Sequence, residues 1–269
     1  MKFSNLKKQN MPKLTLNDAI NFINDKIDIS KLHEVEEYFT LRLQEKEGVL
    51  DDECECLFYL LRSKLKKHSY FETLDCKNLR STFIYKTRLL EKNTLQHYKK
   101  SPKGPVEIAQ LEAFYKIMEH YYSALEEDYD SIHFQQPKKI VFENKMCYRQ
   151  HYFWYTHSVR QWLAYALYRL TSLYGNSMVR WFVTSIITIA AFGIIFFIDD
   201  LFSVVRLVDL NATGHWYDYF YYSITTFTTL GYGDIVPHTF LQKVFVSLEV
   251  ITGYTMLGML IMLLGKKVK

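Results

Sequence analysis

The chain has 269 residues, of which 49% are hydrophobic and 16% aromatic, and its formal net charge is +4. This aromatic content excludes an intrinsically disordered protein, and 10 glycines with 5 prolines exclude a collagen-like one. The small net charge gives no reason to expect a nucleic-acid partner. Four cysteines are too few for a disulfide framework, and Cys54, Cys56, Cys76 and Cys147 lack the paired spacing of a zinc site.

Residues 1–150 are predicted to form a mostly helical domain. Residues 13–70 and 105–150 both mix apolar and charged residues as helices do. In the second segment, apolar side chains recur at i, i+3, i+4 and i+7, at Ile108, Leu111, Phe114, Tyr115, Met118 and Tyr122. The lysines, prolines and glycine of residues 99–105 make that stretch the best linker candidate. No glycine-rich phosphate loop precedes a predicted helix, so nucleotide binding is not expected.

Residues 74–89 allow two interpretations. Leu74, Leu79, Ile84 and Leu89 recur every five residues, as in a pentapeptide coil. Four matches in so short a stretch are few, so a helix or short strands is the favoured interpretation.

Residues 151–176 combine aromatic residues with arginines directly before a long apolar segment. Trp162, Ala166, Leu170 and Leu173 recur at helical spacing, and Gly175 is expected to end the helix. This pattern predicts an amphipathic helix that lies along the inner leaflet of a membrane. A core helix of the soluble domain is the alternative.

Charged residues are distributed unevenly along the chain, with only eleven in residues 181–269. Trp181 to Ile198 is 18 residues without a charge, and Val244 to Leu264 is 21 residues with a single acid. As helices these segments would be about 27 and about 31 Å long, matching a hydrocarbon core of about 30 Å. The sequence therefore predicts transmembrane helices at 178–201 and 240–265. Two buried helices of a soluble enzyme are the less favoured alternative.

The orientation follows from the charges beside the two spans. Arg160, Arg169 and Arg180 precede the first span and three lysines follow the second, whereas the connecting segment is acidic. The positive-inside rule then places both termini in the cytoplasm. We expect an integral protein of the plasma (inner) membrane, with the N-terminal domain in the cytosol.

Residues 215–229, between the two spans, are aromatic and rich in hydroxyl groups. The segment is too short to cross a bilayer and too apolar for an exposed loop, so we predict a re-entrant pore helix. It leads directly into residues 229–234, which read Thr-Leu-Gly-Tyr-Gly-Asp.

Two glycines flank one tyrosine in this string, so Gly231 and Gly233 can adopt backbone angles closed to other residues. Alternating handedness along an extended chain directs successive carbonyl oxygens to one side. Several copies around an axis would stack these oxygens into cages that replace the water shell of a cation. The Thr229 hydroxyl would add the innermost ring, and the C-terminus of the pore helix would add a partial negative charge.

Residues 229–234 resemble the selectivity-filter signature of potassium channels, and the order of span, pore loop and span is similar to that family's two-transmembrane-helix class. The resemblance implies four identical chains around one pore, because each chain supplies a single filter strand. It also implies which backbone carbonyls coordinate K⁺, the permeating ion. They belong to Thr229, Leu230, Gly231 and Tyr232, with Gly233 at the outer mouth.

The sequence departs from the family pattern at two places. Leu230 stands where the family usually has valine, and Tyr221 and Tyr222 stand where a tryptophan pair is common in the pore helix. Both tyrosines could still bond Asp234, which is predicted to hold the filter loop against the pore helix. The predicted filter-supporting residues are Asp234, Thr225, Thr226, Tyr221, Tyr222 and Glu249.

The second span contains two glycines and one acid of interest. Gly253 and Gly258 lie where inner helices of the family often bend, so they are candidate gating hinges; close helix packing is the alternative. An ionised Glu249 would cost free energy inside a membrane span unless it were paired or protonated. We expect it to face the pore helix and bond Thr225, Thr226 or the filter backbone; a cavity-lining charge that concentrates cations is the alternative.

Together these features predict an all-α membrane protein. It has a cytosolic N-terminal domain (1–150), an interfacial helix (151–176) and a pore domain (177–269), and it forms a tetramer. The predicted function is passive K⁺ conduction, with no enzymatic activity and no cofactor. Its partners are the lipid bilayer, K⁺, three identical subunits and an unidentified ligand or protein at the N-terminal domain. The alternatives are a weakly selective, toxin-like signalling pore triggered by such a partner, and a tethered scaffold with a vestigial pore.

Overall fold

The computed structural model describes residues 14–24, 29–45, 50–69, 71–99, 104–156, 158–203, 205–208 and 215–268. All regular structure within these ranges is helical, which confirms the predicted all-α class for the described residues. The helices divide into two compact units, Met1–Val159 and Arg160–Lys269.

The first unit contains six of the described helices. They are α1 (Leu16–Asn24), α2 (Ile29–Glu45), α3 (Leu50–Lys67), α4 (Leu74–Lys99), α5 (Pro105–Ser131) and α6 (Gln135–Tyr155). Residues 74–89 lie within α4, so the favoured helix is observed there rather than a pentapeptide coil. The proposed linker lies between α4 and α5, and residues 100–103 of it are outside the described residues.

A stripe of tyrosines on α5 forms the centre of this unit. Tyr115, Tyr122 and Tyr129 are seven residues apart and fully buried, because a spacing of seven returns to the same face of a helix after two turns. Tyr122 bonds the hydroxyl of Thr87 on α4 at 2.8 Å. Burial of the ring raises the pKa of Tyr122 well above its usual value, so the phenol stays neutral.

Arg62 connects three helices of the first unit. Its Nε donates to Asp128 of α5 at 2.5 Å, and its Nη1 donates to Asn24 of α1 at 2.9 Å. Both members of the ion pair are largely buried, so truncating either one would leave a buried charge unpaired. These two hydrogen bonds of Arg62 therefore fix α1, α3 and α5 relative to one another.

The predicted domain boundary at residue 150 falls inside α6, and the division between units lies at 159/160 instead. The physical reason is that the last turns of α6 still pack on the core of the first unit. Tyr155 stacks on Tyr115 with ring centroids 5.4 Å apart. The predicted interfacial helix accordingly begins at Val159 rather than at 151.

The second unit contains four described helices, which are α7 (Val159–Ser172), α8 (Met178–Phe202), α9 (Asp218–Phe227) and α10 (Phe240–Val268). Two of them, Met178–Phe202 and Phe240–Gly265, are long and apolar enough to cross a membrane. α9 lies within the segment 215–229 predicted as the pore helix and is shorter than it.

A left-handed turn joins α7 to α8. Leu173, Tyr174 and Gly175 all have positive φ, at 50°, 57° and 74°. The Ser172 hydroxyl accepts a hydrogen bond from the Gly175 amide at 3.0 Å, and Tyr174 is buried. This turn ends α7 near the predicted Gly175 and redirects the chain into the first span.

Candidate pore and ion pathway

Near the start of α8, side chains link it to α7 and α10. Trp181 donates from Nε1 to the Met256 carbonyl of α10 at 2.9 Å. The Thr184 hydroxyl donates to the Thr171 carbonyl of α7 at 2.9 Å, and Thr171 in turn contacts Met259 of α10. The first span is thus fixed both to the second span and to the helix that precedes it.

α9 lies very close to the first span near its start and to the second span at its end. A Cβ atom placed on Gly193 of α8 would lie 2.9 Å from the Phe220 ring and 3.3 Å from its Cα. A Cβ atom on Gly253 of α10 would collide with the backbone of Phe227, 2.9 Å from the carbonyl carbon and 3.1 Å from Cα. Only glycine allows backbones to approach so closely.

The buried Asp200 carboxylate joins the end of α8 to the starts of α9 and α10. It accepts from the backbone amides of Leu207 and Val208 at 2.7–2.9 Å, from the Tyr219 hydroxyl at 3.0 Å and from Gln242 Nε2 at 3.2 Å. These donors come from the segment after α8, from α9 and from α10. Because each of these groups donates to the carboxylate, both of its oxygens are hydrogen-bonded although the side chain is buried.

Gln242 also caps the start of α10. Its Oε1 accepts from the Thr239 amide at 3.1 Å, while the Thr239 hydroxyl accepts from the Gln242 amide at 3.2 Å. This reciprocal pair is a capping box, and it leaves the Gln242 Nε2 group to bond Asp200. The Asp200 site therefore depends on local capping as well as on tertiary packing.

The backbone alternates its handedness directly after α9. Thr229, Gly231 and Gly233 have φ of 59°, 51° and 80°, whereas the described residues between them do not have positive φ. A positive φ strains a β-branched residue, so Thr229 is a conformational outlier. The Leu230 amide donates to the Thr225 carbonyl at 2.9 Å, which joins the string to the end of the pore helix.

Large apolar side chains in and beside residues 229–233 are exposed. Leu230 and Tyr232 are 59% and 68% exposed, and Ile224 on α9 is 46% exposed. Monomeric proteins rarely expose so many large apolar groups together. This surface therefore requires lipid or further protein to cover it.

Four of the predicted supporting residues lie beside the string. Tyr221 lies near Asp234. Tyr222, Thr225 and Thr226 are buried, and the Thr225 hydroxyl bonds the Tyr222 carbonyl within the helix at 2.9 Å. Tyr222 packs on Phe196 of α8, with ring centroids 5.2 Å apart.

Glu249 faces the pore helix but bonds a different residue from those expected. The Ser223 hydroxyl, rather than Thr225 or Thr226, contacts its carboxyl. Glu249 is fully buried, which does not fit the alternative of a charge that lines a cavity. Ser223 gave no signal in the sequence, because nothing local marks a serine that meets an acid 26 residues later.

The two candidate hinge glycines have different surroundings. Gly253 meets the Phe227 backbone, whereas a Cβ atom on Gly258 would find no described atom within 4 Å. Both lie within the uninterrupted helix α10. The contacts at Gly253 therefore match the close-packing alternative.

Asp200 and Gln242 were missed as site residues. Asp200 contributed to the sequence analysis only as one of the acids that follow the first uncharged segment. A signal for Gln242 did exist, because Thr239 to Gln242 has the Thr-x-x-Gln spacing of a capping box. That spacing would have identified the start of α10 but not the bond to Asp200.

Residues 182–269 match the family model described as "Ion channel". This part of the chain is similar to ion-channel domains. The match includes α9, residues 229–234 and α10, and it supports the predicted resemblance at the level of an ion channel. Together with the two apolar helices it supports a membrane protein. No curated protein and no solved structure was found to match the chain.

Proposed function

We propose that the protein is a tetrameric channel that conducts K⁺ selectively and passively. The observation that carries this proposal is the positive φ at every second residue from 229 to 233, directly after a half-length helix. In an extended chain this alternation turns successive carbonyl groups to the same side. A row of carbonyl oxygens is the ligand set that replaces the hydration shell of K⁺ in a selectivity filter.

The proposed ion ligands are the carbonyl oxygens of Thr229, Leu230, Gly231 and Tyr232, with the Thr229 hydroxyl at the inner end and Gly233 at the outer mouth. The C-terminus of α9 leads into this row and contributes a partial negative charge. The channel needs no cofactor and no catalytic group, because the ion moves down its own gradient.

Four copies of the chain would complete the pore. One chain supplies a single row of oxygens, which cannot enclose an ion. The exposed Leu230, Tyr232 and Ile224 side chains offer the apolar surface that three identical subunits would cover. Both termini would be cytoplasmic, and the helical first unit would assemble or gate the pore in response to a ligand or protein.

Ion flux into liposomes tests this function. The purified full-length chain is expected to pass K⁺ and to exclude Na⁺ under opposed gradients. Gly231→Ala should reduce the preference for K⁺, because an L-residue is strained at a φ of 51°. Gly104→Ala, which has open space around it, serves as the control.

Equal permeability to Na⁺ and K⁺ would contradict K⁺ selectivity and would favour the toxin-like pore. Absence of flux from a folded protein would contradict the channel function itself. A Gly231→Ala protein that still selects K⁺ would contradict the carbonyl ligands.

Helix α7 is proposed to lie along the inner leaflet of the membrane. Its outward apolar residues are Val159, Leu163, Leu167 and Leu170, all at least half exposed. This stripe differs from the predicted one, since Trp162 and Ala166 are only partly exposed. The arginines at 160, 169 and 180 are exposed and suit anionic lipid headgroups, each contributing about 1 kcal/mol near such a surface.

Spin labels test this placement. In a Cys147→Ser background, a label at Leu163→Cys should be relaxed by oxygen dissolved in the bilayer, because that stripe would face acyl chains. A label at Gln161→Cys, on the opposite face of α7, is the control and should respond to a water-soluble nickel chelate instead. Similar responses at the two positions would contradict the interfacial placement.

A further inference from the structure

The Glu249 carboxyl lies where α8, α9 and α10 meet behind the proposed filter. It is fully buried, and one oxygen contacts the Ser223 hydroxyl of α9. That same hydroxyl lies 2.8 Å from the Ile189 carbonyl of α8. Ser223 therefore connects an acid on the second span with the backbone of the first.

The number of protons at this junction restricts the state of Glu249. Ser223 has a single hydroxyl proton but two neighbours that accept, the Ile189 carbonyl and the Glu249 carboxyl. A backbone carbonyl can only accept. Both contacts become hydrogen bonds if Ser223 donates to Ile189 and a protonated Glu249 donates to Ser223.

The described residues around Glu249 offer no charge or donor that would stabilise an ionised carboxylate beyond Ser223. The second carboxyl oxygen, Oε2, is buried and has no hydrogen-bond partner among the residues that the structure describes. The ion pairs observed among the described residues do not include Glu249. The titratable group that faces it from α9 is the neutral phenol of Tyr222, and α8 presents the Ile189 carbonyl and no observed charge. An unpaired charge in such a site is strongly destabilising.

We propose that Glu249 is a protonated positioning residue which, through Ser223, fixes the pore helix between the two spans. Its carboxyl proton is part of the structure of the pore, so removing that proton with alkali would break the chain of bonds and loosen the helix that precedes the filter. The effect on conduction rests on the proposed channel function, whereas the protonation of Glu249 does not.

Infrared spectroscopy of the purified full-length protein tests the protonation directly. The wild type at neutral pH should show the carbonyl stretch of a protonated carboxyl that is absent from Glu249→Gln. Exposed glutamates ionise near pH 4.3 and will not contribute to that difference. Identical spectra of the two proteins in the carboxylic-acid region would overturn the proposal whatever the protein conducts.

Thermal unfolding and K⁺ flux against pH test the positioning role. The Glu249→Gln amide can donate to Ser223 at any pH, so the variant should resemble the wild type near pH 7. Raising the pH into the alkaline range should lower the flux of the wild type about tenfold and that of the variant less than about twofold, because only the wild type has a carboxyl proton to lose at this position. Ser247→Ala, on an exposed part of α10 and bonded within its own helix, is the control and should follow the wild type.

Wild-type and Glu249→Gln proteins with the same pH profile of unfolding would overturn the positioning role. If the wild type carries no K⁺, the channel proposal fails, and the infrared and unfolding results still decide the role of Glu249. A double-mutant cycle of Ser223→Ala and Glu249→Gln measures whether the two side chains act together. Non-additive changes in the free energy of unfolding would support the positioning role of Glu249, and strictly additive changes would contradict it.

Discussion

Gly253→Ala is expected to destabilise the second unit by about 3 kcal/mol or more, at the upper end of what overpacking costs. The added Cβ atom would overlap the backbone of Phe227, the last residue of the pore helix. Backbone cannot rotate away as a flexible side chain can. The overlap is relieved if α9 moves away from α10 or if α10 bends. Either change would move the residues of the proposed filter, which follow α9 directly. Thermal unfolding of the detergent-solubilised protein measures the loss.

Gly258→Ala is the matched control, because it makes the same change five residues further along the same helix. The added Cβ atom would meet no described atom within 4 Å. Alanine is the better helix former by about 1 kcal/mol, so stability should be unchanged or slightly higher. Equal unfolding temperatures for the two variants would contradict the close-packing role of Gly253. Normal stability with altered channel opening would instead favour the hinge.

Asp200→Asn is expected to lower the free energy of unfolding of the second unit by about 3 kcal/mol or more. Asparagine has the same shape as aspartate but is uncharged. Its NH2 group replaces one carboxylate oxygen, so its hydrogens would face N–H or O–H groups that need an acceptor. Buried donors without an acceptor cost about 1–3 kcal/mol each. The affected donors lie on Leu207, Val208, Tyr219 and Gln242.

Asp199→Asn tests whether the effect belongs to this site rather than to acids in general. Asp199 is adjacent in the sequence, and the side chain seen to bond its carboxylate is Ser203 at 3.3 Å. Its substitution should change stability by less than about 0.5 kcal/mol. Unfolding curves of both variants provide the comparison. An Asp200→Asn protein as stable as Asp199→Asn would show that the four bonds contribute little.

Features that depend on runs of residues could be predicted from the sequence. The spans follow from the absence of charge over 18 or more residues, and their ends fell within three residues of the helices observed. The helices of the first unit follow from apolar spacing, as Leu111, Tyr115 and Met118 illustrate. The predicted pore helix begins three residues before α9, and the Asp218 carboxylate at the start of α9 accepts a hydrogen bond from the His215 amide at 2.6 Å.

Features that depend on contacts between distant residues could not be predicted. Asp200 meets Gln242 across 42 positions, and no local pattern marks either as a partner of the other. The same holds for Ser223 and Glu249, where the sequence indicated only that an acid in a span needs a partner. The apolar stripe predicted on α7 and the exposed one share only Leu170, because aromatic residues suit both a membrane interface and a protein core.

The position of Ser223 between Ile189 and Glu249 has a consequence for biosynthesis. The chain is made from its N-terminus, so α8 and α9 leave the ribosome before Glu249 and Gly253 have been added. The pore helix cannot reach its final contacts until the second span is present. In the proposed channel, the segment that lines the ion path is therefore fixed in place only after the second span has been synthesised. A chain interrupted before Glu249 would lack the contacts that hold α9 between the two spans.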